Sequence, residues 1–155
     1  MKFIENLTEA DKIIRTADHM AYVTFPLVRD KRLLLKILSE TQEAIAKCIN
    51  AILQYEYIYK RIRLYNQAQE NLNTFKNKCA KRYGITEQEL EIILEIFELS
   101  EKHKKSPFEF MKQEKVVILS ENMEQKTLTL EKTKQFIQVA KNLIEKTQKT
   151  IRHSI

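Results

Sequence analysis

Glycine is almost absent from this sequence. The chain of 155 residues contains one glycine, Gly84, two prolines and no tryptophan, whereas an average protein has about 7% glycine. Sandwiches, barrels and doubly wound sheets need glycine at many turns, so these classes are excluded. A glycine-rich phosphate loop is excluded as well, because Gly84 has no partner glycine. The composition predicts the all-α class: one domain over residues 1–155, built as an antiparallel bundle of about five helices, four of them substantial.

Cysteine and histidine are also scarce. Cys48 and Cys79 are too few for a disulfide framework, and neither they nor the three histidines have the spacing of metal ligands. We therefore expect no metal and no cofactor. The sequence also lacks an uncharged apolar run of about 18 residues and an N-terminal apolar core of signal-peptide length. These absences predict a cytoplasmic protein with no membrane partner.

Apolar residues recur with the helical period over most of the chain. This pattern predicts helices over residues 6–22, 31–61, 67–83, 87–104 and 130–152. Thr8 and Asp11 have capping-box spacing near the start of the first predicted helix, and Pro26 is expected to end that helix. Asp30 is expected to cap the second helix. Further expected end signals are Gly84 as a left-handed cap, a Thr86–Glu89 capping box and Thr129 before the last helix.

The segment between the last two helices has no helical period, and we expect one long loop near 107–128. Ser106 and Glu109 have capping-box spacing around Pro107, which predicts a short helical turn. Residues 116–119 form the only β-branched run in the chain. We expect a lone extended segment or a connector laid over the core, because a single strand cannot make a sheet.

Charge is unevenly distributed along the chain. The net charge is +6; residues 47–85 carry eight basic and two acidic groups, and residues 86–101 carry six glutamates and no base. Two interpretations follow. The acidic helix neutralises the basic segments, or a basic face remains for nucleic acid.

The strongest binding signal is the run YEYIYKRIRLY at residues 55–65, in which four tyrosines alternate with three cations. Cations contact phosphates, and tyrosines stack on unpaired bases. Residues 76–83 repeat this composition, although the expected helix packing does not bring the two clusters together. The structural alternative is that these tyrosines pack at the rim of the core. The candidate nucleic-acid-binding residues are Tyr57, Lys60, Arg61, Arg63, Lys78, Lys81 and Arg82.

The predicted fourth helix is apolar on two sides. Ile92, Ile96 and Leu99 form a stripe roughly opposite the ordinary core face. Such a helix is either enclosed within the bundle, with residues 107–127 covering the stripe, or presents the stripe to another chain. These three residues are therefore the candidate interface.

Candidates for catalysis are few. Arg15 and His19 lie one turn apart on the first helix, and they are weak candidates for catalytic residues. His103 is followed by lysines near a helix C-terminus, where a cation suits the helix dipole. No Glu-x-x-His motif accompanies the glutamates of 86–101, so a carboxylate metal helix is not indicated.

The chain resembles the HEPN superfamily of small helical bundles associated with nucleotides and RNA. EAIAKCINAI at 43–52 in the long helix and FIQVA at 136–140 in the closing helix carry the resemblance. YVTFPLVRD at 22–30, KRYG at 81–84 and HKKSPFEF at 103–110 are similar to a group of small archaeal proteins of that kind. The resemblance implies a homodimer and, in active members, metal-independent RNA cleavage by an Arg and a His with four to six residues between them.

The catalytic motif of that superfamily is missing here. Only three residues separate Arg15 from His19, and Arg152 directly precedes His153. We therefore expect this chain to share the helical bundle and the homodimer of that superfamily, and we assign no catalytic residue from it. The leading hypothesis is a non-catalytic, dimeric bundle that binds RNA or a ribonucleoprotein through its basic, tyrosine-rich surface. The alternatives are a scaffold or antitoxin-like bundle docking through Ile92, Ile96 and Leu99, and a metal-independent RNase using Arg15 and His19.

Overall fold

The computed structural model describes residues 2–106, 108–112 and 115–154, and helices account for 73% of these residues. A three-stranded antiparallel sheet is inserted before the last helix, so the protein is mostly helical but not purely α as predicted. Two π-helical segments, Met20–Thr24 and Phe75–Cys79, interrupt the helical parts. The helices are α1 (Lys2–His19), α2 (Phe25–Val28), α3 (Arg32–Ile58), α4 (Ala68–Thr74), α5 (Glu87–Lys105) and α6 (Leu130–Ser154). The strands are β1 (Phe108–Lys112), β2 (Lys115–Leu119) and β3 (Gln125–Thr129).

The long helix α3 is the centre of the bundle. Helix α1 packs along it in the antiparallel direction, with Phe3 edge-on to Tyr55 at a ring-centroid distance of 5.3 Å and Glu9 paired with Lys47 at 2.7 Å. Helix α6 packs on another face of α3, where the Cys48 thiol contacts Thr147 Oγ1 at 3.4 Å. Complete burial raises the pKa of this thiol to about 12, so Cys48 is a core residue and not a nucleophile.

The beginning and end of the first helix differ from the prediction. The helix begins at Lys2, so Thr8 lies inside it and donates its hydroxyl to the Ile4 carbonyl. Pro26 does not end the helical path, because a π-helical segment precedes it and Pro26 then sits in the first turn of α2. A proline is tolerated there, since the amides of a first turn need no intrahelical acceptor.

Several expected end signals are confirmed. Asp30 Oδ1 accepts the Arg32 amide at 3.0 Å at the start of α3. Thr86 and Glu89 form a reciprocal capping box, with distances of 3.0 and 3.1 Å, and Thr129 Oγ1 accepts the Lys132 amide at 3.1 Å. Gly84 has φ +71° and takes the left-handed position. These contacts fix where α5 and α6 begin.

The predicted long loop near 107–128 is wrong. Strands β1, β2 and β3 form an antiparallel meander in which Phe110, Val117 and Thr127 are aligned across the sheet. Val116 and Ile118 are fully buried together with Leu128, so β2 is held by the helical core as well as by its neighbours.

The short helical turn expected at 106–109 is also wrong. Ser106 is extended, with φ −67° and ψ 125°, and Phe108 already belongs to β1, while Pro107 lies outside the described residues. Ser106 Oγ donates to the Leu119 carbonyl at 2.7 Å, and His103 Nδ1 lies 2.5 Å from Glu109 Oε2. These contacts join the end of α5 to the sheet instead of starting a new helix.

None of the described helices has the length and apolar character needed to cross a bilayer. The longest, α3, buries one face along its whole length and keeps polar residues on the other. It therefore serves as the internal support of the bundle, and its C-terminal end brings the predicted basic run to the surface.

Candidate nucleic-acid interface

The two basic clusters meet on one buried carboxylate, contrary to the expectation that they stay apart. Glu56 lies in the last turns of α3 with 1% of its surface exposed. Arg61 Nη1 donates to Glu56 Oε2 at 2.8 Å, and Arg82 Nε is 3.3 Å from Glu56 Oε1. The Tyr83 hydroxyl also donates to Oε2, at 3.4 Å. Residues from both clusters are thereby joined at one end of the bundle.

The path of the connector explains this meeting. After α3 the chain turns back over residues 59–67, so that Ala68 and Leu72 face the same groove as Ile49 and Leu53 of α3. The π-helical continuation of α4 packs on α3, and Arg82 and Tyr83, just beyond it, contact Glu56 near the end of α3. An antiparallel third helix would have carried these residues away from Glu56.

Both helical ends at this place are closed by the same backbone motif. The Arg61 amide donates to the Glu56 carbonyl and the Lys60 amide to the Tyr57 carbonyl. The amides of Ile85 and Gly84 do the same one segment later, toward Ala80 and Lys81. This is the Schellman arrangement, in which the residue after the cap takes positive φ. Gly84 suits that position, but Lys60 holds it with φ +59°.

Lys60→Gly is expected to raise the free energy of unfolding by about 1 kcal/mol. A residue with a Cβ is strained in the left-handed region, and glycine removes that strain. Urea denaturation measures the change, with Gly84→Ala as the matched test in the opposite direction. Equal stability of wild type and Lys60→Gly would contradict the strained cap.

Arg61 and Arg82 are the two predicted phosphate contacts that the structure places in a different role. Their side chains are only 34% and 38% exposed, because the buried Glu56 carboxylate holds both. The Arg61 guanidinium also lies 5.2 Å from the ring centroid of Tyr59 and 5.9 Å from that of Tyr55. Both arginines are therefore committed to closing the end of α3, which sequence spacing could not indicate.

The other candidates remain at the surface. Tyr57 is 53% exposed, and Lys60, Arg63, Lys78 and Lys81 are exposed as well. No ion pair within the described residues includes any of these four cations. The Arg63 guanidinium lies 6.0 Å from the Tyr65 ring centroid. We call Tyr57, Lys60, Arg63, Lys78 and Lys81 the basic end of the bundle.

The glutamates of α5 do not neutralise the basic end. Their partners are lysines of α6 and of α5 itself: Glu89 pairs with Lys146 at 2.5 Å, and Glu95 with Lys132 at 3.2 Å. Glu98 and Glu101 pair with lysines one turn later on α5. The neutralisation interpretation therefore holds in part: glutamates of α5 pair with lysines of the basic segment 102–155, and none of the described ion pairs joins α5 to residues 60–82.

The second apolar stripe of α5 is not an exposed surface. Ile96 and Leu99 are 0% and 4% exposed, and Ile92 is partly buried against the core. Helix α5 packs on α3, on α6 and on β2. Strand β2 lies within residues 107–127, the segment that was the alternative expectation for covering this stripe. The expectation that Ile96 and Leu99 face another chain is therefore corrected, because they lie in the core of this one.

The weak catalytic pair lies at the surface, whereas both cysteines are buried. Arg15 is engaged with Asp11 at 3.0 Å, and His19 is exposed at the end of α1. Burial, followed by the charge of Glu56, raises the pKa of Cys79 to about 11, which keeps it protonated and unreactive at neutral pH.

Comparison with known proteins gives no family assignment. No protein-family model matches the chain, and no curated protein or solved structure is significantly similar to it. Within the described ranges, His, Cys, Asp and Glu side chains form no group of three or more that could hold a metal ion. The basic end is thus the surface whose composition and exposure most directly indicate a ligand class.

Proposed function

We propose that this chain is a non-catalytic, HEPN-like bundle that binds RNA, alone or in a ribonucleoprotein, through its basic end. The carrying observation is that Lys60, Arg63, Lys78 and Lys81 are exposed and outside the described ion pairs. Such cations bind phosphates by releasing condensed counterions, which needs no particular sequence. A homodimer in the cytoplasm is the further part of this proposal, and it comes from the HEPN resemblance.

The tyrosines favour single-stranded RNA over a duplex. Tyr57 and Tyr65 are 53% and 40% exposed beside these cations, so their rings are accessible to unpaired bases. Stacking contributes about 1–3 kcal/mol per base in single-stranded complexes, and a duplex offers no unstacked base. Sequence readout is not part of the proposal, because cations and ring faces contact every nucleotide in a similar way.

The proposal is tested by titrating the protein into a fluorescein-labelled single-stranded RNA of 20 nucleotides at 50–300 mM salt. Four phosphate contacts give an expected slope of log K against log salt of about −3. A duplex of the same sequence serves as the matched control and is expected to bind more weakly. Absence of binding at 50 mM salt, or a slope near zero, would refute the proposal. Light scattering on the same sample gives the mass of the binding species.

The two alternatives have less support. A scaffold docking through Ile92, Ile96 and Leu99 requires an exposed stripe, whereas two of these residues are buried. An RNase based on Arg15 and His19 would rest on a pair with only three residues between its members, fewer than the HEPN motif has.

A further inference from the structure

Helix α2 and the π-helical segment before it carry a patch of exposed apolar side chains. Ala21 and Phe25 of this path face the core. Leu27 is 82% exposed, the largest fraction for a large apolar side chain in the described part of the chain, and Val28 is 60% exposed. Single exposed apolar residues are ordinary on a protein surface, whereas a contiguous patch indicates an interaction site. We call the exposed residues of this patch the α2 face: Tyr22, Val23, Pro26, Leu27 and Val28.

Cations lie at the edge of the α2 face. The Lys134 ammonium is 4.6 Å from the ring centroid of Tyr22, and Arg29 and Lys31 come directly after α2. Arg29 ends α2 with φ +54°, a left-handed position where glycine is usual, so a cation is kept at this cap although the backbone is strained. No ion pair within the described ranges includes Arg29, Lys31 or Lys134.

The nearby carboxylates do not cancel these cations. Asp30 is paired with Arg32 at 2.7 Å, and Asp18 with Lys141 at 2.7 Å. Glu131, three residues before Lys134, is exposed and takes part in none of the described ion pairs. Three unpaired cations against one unpaired carboxylate leave the edge of the α2 face positive.

This combination of apolar surface and positive charge does not suit a second copy of the chain. In a twofold interface the same patch meets itself, which would bring the three cations opposite their own copies, and like charges across an interface oppose binding. RNA is not favoured either, because Val23, Leu27 and Val28 have neither a ring to stack on a base nor a donor for a phosphate.

We propose that the α2 face binds the surface of an anionic lipid bilayer. Leu27 and Val28 would enter the boundary of the acyl chains, and Tyr22 would lie at the level of the headgroups, where tyrosine is favoured. The cations at the edge would contact lipid phosphates. The contact is peripheral, since none of the described helices can cross a bilayer, and it departs from the expectation of no membrane partner. The α2 face precedes the start of α3, whereas the basic end lies at its other end.

The fluorescence of a single introduced tryptophan tests the proposal, because the chain has no tryptophan of its own. Leu27→Trp places the probe in the α2 face, and Ile4→Trp, at an exposed position near the start of α1, is the matched control at the other end of the bundle. Each variant is titrated with vesicles of phosphatidylcholine alone and with vesicles that also contain about 30% phosphatidylglycerol. The emission of Leu27→Trp is expected to shift to shorter wavelength with the anionic vesicles, with at least tenfold weaker binding to the neutral ones. The emission of Ile4→Trp is expected to stay unchanged.

Sedimentation with anionic vesicles separates the apolar contact from the charge. The double variant Leu27→Ser with Val28→Ser is expected to bind at least tenfold more weakly, because it removes the inserted apolar surface. Arg29→Gln with Lys134→Gln is expected to lose about fivefold per cation. Lys12→Gln with Lys76→Gln removes the same charge at exposed positions away from α2 and is expected to bind nearly as wild type.

Four results would overturn the proposal. The absence of any response to both vesicles would assign the α2 face to a protein partner. A shift of Leu27→Trp emission with protein concentration alone would assign it to a second copy. Equal binding to neutral and anionic vesicles, or equal losses in the two glutamine variants, would remove the role of the cations. RNA titration of the double serine variant is expected to match wild type, so membrane binding and RNA binding fail separately.

Discussion

Glu56→Ala is expected to lower the free energy of unfolding by about 3 kcal/mol. The carboxylate is buried and joins the end of α3 to Arg61, Arg82 and Tyr83. Removing one member of a fully buried ion pair costs about 3–5 kcal/mol, and the lower value applies because both arginines are one-third exposed and can be hydrated. Urea denaturation measures the loss, which corresponds to roughly 6–12 °C in melting temperature at this chain length.

Two variants separate charge from packing at this position. Glu56→Gln keeps the shape and most of the hydrogen bonds, so we expect about half of the loss. Tyr83→Phe removes only the longest contact, 3.4 Å, and is expected to change stability by less than about 1 kcal/mol. If Glu56→Ala stays within about 0.5 kcal/mol of wild type, the carboxylate does not hold the connector in place.

The helices could be predicted because their signals are local. An apolar face repeated through 31–61 and again through 130–152 gave α3 and α6 nearly in full, and the capping residues Thr86 and Thr129 fixed two starts. The sheet has no comparable local signal. Strand β3 is polar except for Leu128, and the turn before it uses Met123 at φ +66° where glycine is usual. Pairing with β2 and burial against the helices stabilise it, and both depend on distant residues.

The exposed cations of the candidate site could be predicted from the sequence, but the buried Glu56 at its centre was not. Exposed cations can be recognised as a run in the sequence, and Lys60, Arg63, Lys78 and Lys81 are indeed at the surface. Glu56 was overlooked because a glutamate among basic residues suggests a solvated pair. A signal was present: Glu56 follows Ile52 by one helical turn and Ile49 by two, on the buried face of α3. Which arginines it holds depended on the return of the chain over 59–67.

Replacing Lys60, Arg63, Lys78 and Lys81 together with alanine is expected to weaken binding to single-stranded RNA roughly hundredfold at 50 mM salt. Each phosphate contact on a single strand contributes about 0.7 to the slope of log K against log salt, so the slope should flatten by about 3. Fluorescence anisotropy over the salt series measures both quantities. Circular dichroism is expected to show an unchanged fold, because these side chains are exposed and outside the described ion pairs.

A second fourfold variant separates local contact from net charge. Arg29, Lys31, Lys36 and Lys134 lie toward the opposite end of α3, and their replacement by alanine lowers the net charge by the same amount. We expect this control to retain most of the slope. Glu56→Gln acts in the other direction: it removes the negative charge that neutralises Arg61 and Arg82, and it is expected to steepen the slope by up to about 1.4. Equal losses in the two fourfold variants would mean that RNA responds to total charge and not to the basic end.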